Sequence, residues 1–321
     1  MEFEDQILFS IFGLPITAYA LCLTLALGAG LLLYFGLDKK RRAPSDALWT
    51  SALLSIPFGL IGGRLFYCIA RFSMYEEMGF ISILYLWDGG YALWGAVGGA
   101  ALSALIGAKA HGQKAAPILD VMAPAGALTI GLGRFAEYFT LQGIGTYVEN
   151  EALCFFPLAV YRESYDEWNY AVFMLEGLAA LAILFVLLKK ERGDGNRARL
   201  FLLLYSACQV LFESLRRDSV LRWLFVRVSQ LTAALVIAGL MLFAVRRWAR
   251  QKDKRRMTGA GVALCWAVVL ACAGLCVAME FSVDGKILEF IPVWAGYGVM
   301  ALACVGMGCA SYRLVFKSLK A

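Results

Sequence analysis

Residues 131–139 read GLGRFAEYF, and they close an apolar run that begins APAGALTI. An arginine and a glutamate, three residues apart, interrupt a segment otherwise greasy enough to cross a membrane. Ionisable side chains at that depth are costly, so they face a protein interior or a wet cavity rather than lipid. The stretch therefore implies two things together: a chain that folds in a bilayer, and a polar place inside it.

The rest of the chain agrees. Its 321 residues are 61% hydrophobic and 17% charged, with a mean hydropathy of +0.69, whereas a soluble domain carries about 25% charged residues. Apolar runs of roughly 20 residues recur, enough to cross a hydrocarbon core about 30 Å thick. Nine helices are expected, near 15–36, 46–72, 90–110, 116–140, 169–189, 199–215, 227–247, 259–280 and 291–315. The fold class is then an all-α integral membrane protein, a polytopic helical bundle. One longer loop covers about 141–168. The opening MEFEDQ is acidic and lacks a basic n-region, so the first span is expected to stay in the protein. The nine cysteines sit mostly singly within spans, with no CxxC pair and one histidine in the whole chain. Neither a metal site nor a cofactor is expected.

Charge placement gives the orientation. The connectors at 39–42, 109–114, 189–199 and 246–256, with the C-terminal tail, hold twenty-one of the 30 lysines and arginines. Such a bias marks the cytoplasmic side, so the N-terminus is expected outside and the C-terminus inside. These clusters touch anionic membrane lipid, and no nucleic-acid partner is expected. The run RRDSVLRWLFVR at 216–227 breaks the bias, because it falls on the outer side.

With that orientation, Tyr19, Arg64, Asp88, Arg134, Glu137, Glu176, Glu213 and Arg216 fall at one level, in the outer part of their spans. Two readings stay open. Arg134 and Glu137, at i and i+3, share a helix face and could merely neutralise each other. Alternatively, the shared level marks a polar pocket open to the outer leaflet, where the planar fork of an arginine suits a phosphodiester. Glutamates beside it would hold the fork or accept a proton. Glycines of GLIGGRLFY, WDGGYALWGAVGG and GLGRFAEYF fit close helix packing. Gly89 and Gly90 stand apart, since they lie at the outer mouth.

Six stretches, in order, resemble the prolipoprotein diacylglyceryl transferase family. They are FGLPITAYAL (12–21), GGRLFY (62–67), DGGYALWGAVGG (88–99), LDVMAPAGALTIGLGR (119–134), MLEGL (174–178) and YSACQVLFESLRRD (205–218). The resemblance implies a seven-helix transferase-like membrane domain over 1–250. A two-helix extension over 251–321 falls outside it and is read from its sequence as a packing or partner appendage with no buried charge. It implies transfer of a diacylglyceryl group from phosphatidylglycerol to the lipobox cysteine thiol of a preprotein, in the outer leaflet of the bacterial plasma membrane. Arg134, Glu137 and Glu213 would be catalytic. Tyr19, Arg64, Gly89, Gly90, Trp94, Gly145, Glu176, Gln209 and Arg216 would bind substrate. Three positions depart from the family pattern: Trp94 replaces a histidine, Glu137 an asparagine and Gln209 an arginine. His111 falls in a cytoplasmic connector and is not expected to be the base. A paralogue with altered chemistry, which binds phospholipid or lipopeptide or moves another lipid group, is the alternative. A transporter reading finds no internal repeat, and the charges gather to one side rather than at the midplane.

Overall fold

The computed structural model describes residues 7–11, 14–38, 45–86, 89–140, 142–163, 165–190, 193–217, 221–223, 226–283 and 290–319. Asp88, the basic run 39–42 and Lys286 lie outside the described residues. Among the described residues, ten α-helices follow one another: α1 (Ala18–Asp38), α2 (Ser45–Ala70), α3 (Phe72–Met78), α4 (Leu93–Ala110), α5 (Ala115–Ala136), α6 (Val172–Lys189), α7 (Asn196–Leu215), α8 (Val228–Arg250), α9 (Gly259–Val283) and α10 (Val293–Lys317). All but the short α3 are long and apolar enough to cross a membrane. Large apolar side chains such as Leu32, Leu53, Ile69, Leu235, Leu264 and Leu302 are exposed along them. That is the pattern of helices whose outer faces are solvated by lipid. The all-α polytopic expectation therefore holds.

Among the described residues, three small antiparallel hairpins punctuate the helices. They are β1 (Ile7–Ile11) with β2 (Leu14–Thr17), β3 (Ala159–Arg162) with β4 (Glu167–Tyr170), and β5 (Arg222–Trp223) with β6 (Val226–Arg227). The sequence gives no sign of these strands, because strands of two to five residues carry no periodic signal beside spans of about 20.

The chain divides into two compact units, Met1–Phe201 with Arg217–Val228 and Leu202–Arg216 with Ser229–Ala321. In the first, glycines set the helix spacing. A Cβ on Gly99 would stand 2.0 Å from the Phe58 carbonyl oxygen, and one on Gly95 would stand 2.2 Å from that of Gly62. The backbones of α2 and α4 thus touch, a mode of packing suited to lipid, where no hydrophobic drive joins helices. On the other flank Leu23 of α1 meets Gly133 of α5, and the Thr129 hydroxyl reaches the Ala26 carbonyl at 3.4 Å. Gly131 of α5 packs on Gly177 and Leu181 of α6. These antiparallel registers bring the starts of α1, α4 and α6 and the ends of α2 and α5 to one end of the unit.

The opposite end is the anchor. Tyr34, Leu37, Leu48, Ala104, Ile118 and Val121 form a buried cluster, and the Tyr34 hydroxyl donates to the Leu48 carbonyl at 3.2 Å. Beside it lies Asp120, fully buried on α5. Its carboxylate accepts from the backbone N–H groups of Gly193 (3.1 Å), Arg197 (2.7 Å) and Ala198 (3.1 Å). An acid borrowed from another helix thus caps the start of α7, where orphan N–H groups and the helix dipole favour negative charge. The Arg197 side chain does the converse for α6, donating to the carbonyls of Leu188 and Lys190 at 3.0–3.1 Å.

In the second unit, α9 and α10 run antiparallel in close contact, with the Cys276 and Cys304 sulfurs 4.0 Å apart. Gly308 of α10 faces Ala207 of α7, and the Ser311 hydroxyl meets the Met241 sulfur of α8 at 3.5 Å. Arg255 stacks over Trp248 and donates to the Trp248 and Ala249 carbonyls at 3.0–3.1 Å. It thereby closes the end of α8.

Replacing Asp120 by Ala strips three donors of their acceptor. The expected loss is about 2 kcal/mol or more of stability, read as a lower Tm in detergent. Asp120→Asn should recover part of it. An unchanged Tm for Asp120→Ala would refute the capping role.

Candidate functional site

Arg134 stands on the last turn of α5, at the end where the helices of the first unit converge. Its Nη1 is 2.5 Å from Glu137 Oε1, and its Nε is 2.7 Å from Glu176 Oε2. Glu137 belongs to a 3-10 turn that tightens the end of α5. Glu176 lies on the second turn of α6. The guanidinium is therefore gripped by one carboxylate on its own helix and one on the neighbour. The side chains are 12%, 10% and 1% exposed respectively, so water screens these ion pairs little. Local neutralisation of Arg134 by Glu137 is real, but it is half of the arrangement. Three ionisable groups thus meet at this point, one more than a simple pair requires.

Around this triad the chain is tightly stitched. A Cβ on Gly143, which has φ +67°, would stand 2.6 Å from Glu137 Oε2. The Gly143 carbonyl accepts from Phe173 N at 2.8 Å, and Gly145 N donates to the Tyr170 carbonyl at 2.8 Å. Arg217 N donates to the Ile144 carbonyl, also at 2.8 Å. The segment 143–146 is thus tied to β4, to the start of α6 and to residue 217. Gly145 is buried within it. The α1–α5 register that pairs Leu23 with Gly133 puts Tyr19, half-buried on the first turn of α1, at the level of Glu137.

The resemblance assigns Arg64 to substrate binding. In the structure it is 4% exposed, and its own loop absorbs its donors. Nε donates to the Ile83 carbonyl at 3.1 Å, Nη2 to Ser82 (2.9 Å) and Tyr85 (3.0 Å), and Nη1 to Gly89 and, at 3.5 Å, Gly90. A guanidinium has five N–H donors, and all five are used. Arg64 folds the 79–90 segment back over α2. Gly90 belongs to the same device: it has φ +72°, and a Cβ there would lie 2.7 Å from the Tyr67 ring and 3.0 Å from Arg64 Nη1. Gly89 shares that left-handed φ. The Tyr75 ring sits under the Arg64 guanidinium at 5.5 Å. Burial, helped by a hydrogen bond with Cys68, pushes its phenol up to about 12 against the opposing pull of Arg64. Tyr75 is therefore neutral across the working pH range.

Trp94 is buried on the first turn of α4, four residues beyond Gly90. His111 caps the far end of the same helix, exposed, with Nε2 2.9 Å from the Thr50 hydroxyl. The two ends of α4 thus separate His111 from the Arg64 loop, as expected.

Gln209, Glu213 and Arg216 belong to the second unit. Gln209 and Glu213 are buried, and the Gln209 side chain donates to the Tyr205 hydroxyl at 3.0 Å. Tyr205, Gln209, Glu213 and Arg216 follow at helical spacing and share one face of α7, whose hydrogen bonding continues to Arg216 N. Sequence reasoning missed one group here. Glu280 of α9 accepts hydrogen bonds from the Ser214 hydroxyl and from Gln230 Nε2, the latter at 3.4 Å. The extension was expected to carry no buried charge. It carries this half-buried one.

The model of the prolipoprotein diacylglyceryl transferase family matches residues 6–246. The chain belongs to that family. It is 27% identical over 247 residues to the phosphatidylglycerol–prolipoprotein diacylglyceryl transferase of Clostridium novyi (strain NT), covering 74% of this chain and 94% of the relative. To the enzyme of that name from Streptococcus suis (strain 05ZYH33) it is 27% identical over 251 residues, 76% of this chain and 92% of the relative. To that of Streptococcus pyogenes serotype M1 it is 29% identical over 248 residues, 74% and 93%. The shared stretch contains Arg134, Glu137, Glu176, Glu213 and Arg216. Glu280 and α9–α10 lie beyond it.

Removing the cation should cost more than removing the whole cluster. Arg134→Met leaves two buried carboxylates without their shared partner, an expected loss of about 3 kcal/mol or more. Adding Glu137→Gln and Glu176→Gln should return a good part of it. Thermal unfolding in detergent checks both. A triple variant no more stable than Arg134→Met would contradict the clamp.

Proposed function

We propose that this protein is a diacylglyceryl transferase that moves the diacylglyceryl group of phosphatidylglycerol onto the lipobox cysteine of a preprotein. The observation that carries the reading is Arg134 fixed between Glu137 and Glu176, within a stretch shared with the family. The thiolate sulfur attacks the glyceryl carbon that bears the phosphate. The C–S bond forms, the C–O bond breaks, and glycerol phosphate leaves with the electron pair. Negative charge grows on the phosphate oxygens as it does so. A preorganised guanidinium in a water-poor site stabilises that charge without reorganising. Two carboxylates set its orientation, so binding a phosphate oxygen costs little further side-chain entropy. The thiol proton passes to a buried carboxylate, Glu137 or Glu213, because the thiolate is the nucleophile.

In this reading Tyr19, Gly145 and Trp94 line the substrate region, while Arg64, Gly89 and Gly90 shape its rim. Gln209 and Arg216 are assigned to substrate by motif alone. The membrane is the bacterial plasma membrane, with the N-terminus outside and the C-terminus in the cytoplasm, supported by the basic residues on alternate connectors. Residues 1–250 form the transferase domain and 251–321 an added two-helix segment.

Trp94 favours one competing reading, a paralogue that binds phospholipid or lipopeptide without transferring the group. An indole donates but cannot take up a proton as an imidazole does. Native mass spectrometry in which the protein retains phosphatidylglycerol, yet never turns it over, would establish that alternative.

In a strain lacking its own transferase, the wild-type chain should restore lipidation of a reporter prolipoprotein. Arg134→Ala should abolish it, and Arg134→Lys should not rescue, because an ammonium cannot bridge both carboxylates with the same planar fork. Full lipidation by Arg134→Ala would overturn the assignment.

A further inference from the structure

Helix α7 presents two faces about 140° apart. One bears Tyr205, Gln209, Glu213 and Arg216. The other bears Ala207, Val210 and Ser214, and it rests on α8, α9 and α10. Ala207 meets Gly308 of α10. The Val210 carbonyl accepts from Gln230 Nε2 of α8 at 3.1 Å. Ser214, 1% exposed, donates to the Glu280 carboxylate of α9, and its oxygen is 3.8 Å from the Met300 sulfur of α10. Gln230 donates to the same Glu280 oxygen. One acid of the extension therefore ties α7 and α8 together at the residue that follows Glu213. A charged acceptor in an apolar setting makes these hydrogen bonds strong and their loss expensive.

We propose that Glu280 is a positioning residue that holds the Glu213–Arg216 end of α7 in its working orientation, so that the added helices complete the transferase rather than decorate it. The proposal deepens the transfer reading and rests on it. It also gives the acid on α9 a role: an apolar residue there would leave the Ser214 hydroxyl and the Gln230 amide without this acceptor. Glu280 acts through hydrogen bonds, so a neutral acceptor of the same length serves. Gln at that position keeps a carbonyl oxygen for both donors, and Ala keeps none.

The test uses the full chain in detergent, with phosphatidylglycerol micelles and a lipobox peptide. Glu280→Ala should lower kcat about tenfold or more, with KM for the peptide changed less than about threefold. Its acidic limb in the kcat–pH profile should also move by more than about half a pH unit. Glu280→Gln should stay within about threefold of wild type. Ser214→Ala should lower kcat as well, and the double variant Ser214→Ala/Glu280→Ala should lose little more than Glu280→Ala alone. A mere loss of folded protein would scale kcat without moving the pH profile, and that result would overturn the inference. So would Glu280→Ala with wild-type kinetics, or Glu280→Gln as damaged as Glu280→Ala. A wild-type protein that forms no adduct overturns the transfer reading instead. Retention of phosphatidylglycerol in native mass spectrometry is then the readout. Lipid lost in Glu280→Ala and kept in Glu280→Gln sustains the positioning role, and equal retention in both refutes it.

Discussion

Arg134 reaches Glu137 one turn along its own chain and Glu176 on the neighbouring helix. In hydrocarbon none of these three groups is tolerable alone, since each carries a desolvation cost that only an oppositely charged partner offsets. The cluster therefore exists only if α5 and α6 meet in one register, and Gly131 against Gly177 provides that register. The same requirement fixes the 143–146 segment, whose Gly143 lies against Glu137 and whose carbonyl accepts from the start of α6. Charge, register and loop closure are here one constraint. A guanidinium held this way is already oriented before any anion arrives, which is what a site that stabilises developing phosphate charge requires.

The polar groups of the first unit divide by task. Asp120 and Arg197 satisfy helix ends at the pole away from Arg134. Arg64 satisfies loop carbonyls at the pole where α2 ends and α4 begins. Both tasks follow from the same scarcity: inside a bilayer, backbone groups that leave the helix ladder must find partners within the protein. Buried arginine in a membrane chain is thus ambiguous by nature. Arg64 and Arg134 look alike as residues in apolar runs. Their acceptors separate them, backbone carbonyls for one and carboxylates for the other.

That ambiguity marks where the sequence stopped being legible. The spans could be read because apolar runs of about 20 residues have no other common cause. The i, i+3 pairing of Arg134 with Glu137 could be read from helix geometry. The third member, Glu176, could be placed at the right level but not in contact, because contact depends on how two helices turn about their axes. The partners of Arg64 could not be read, because they are carbonyls, which every residue has and no sequence pattern advertises. Asp120 was visible as part of a family-like stretch, but the N–H donors it accepts from lie more than 70 residues away along the chain. Glu280 was overlooked because one acid near the end of an apolar run resembles a span boundary. Only the meeting of α7, α8 and α9 reveals its partners. In each case the signal was non-local, and the cost of burying a polar group is the one clue that points to an unseen partner.

In the proposed function, the clamped guanidinium serves transfer of a diacylglyceryl group to a thiol. Purified wild-type protein incubated with isotopically labelled phosphatidylglycerol and a lipobox peptide, followed by mass spectrometry of the peptide, tests it most directly. A labelled diacylglyceryl thioether should form on the cysteine, and it should be absent when Arg134 is alanine. A peptide of unchanged mass with the wild-type protein, under conditions in which one of its relatives modifies the same peptide, would contradict it.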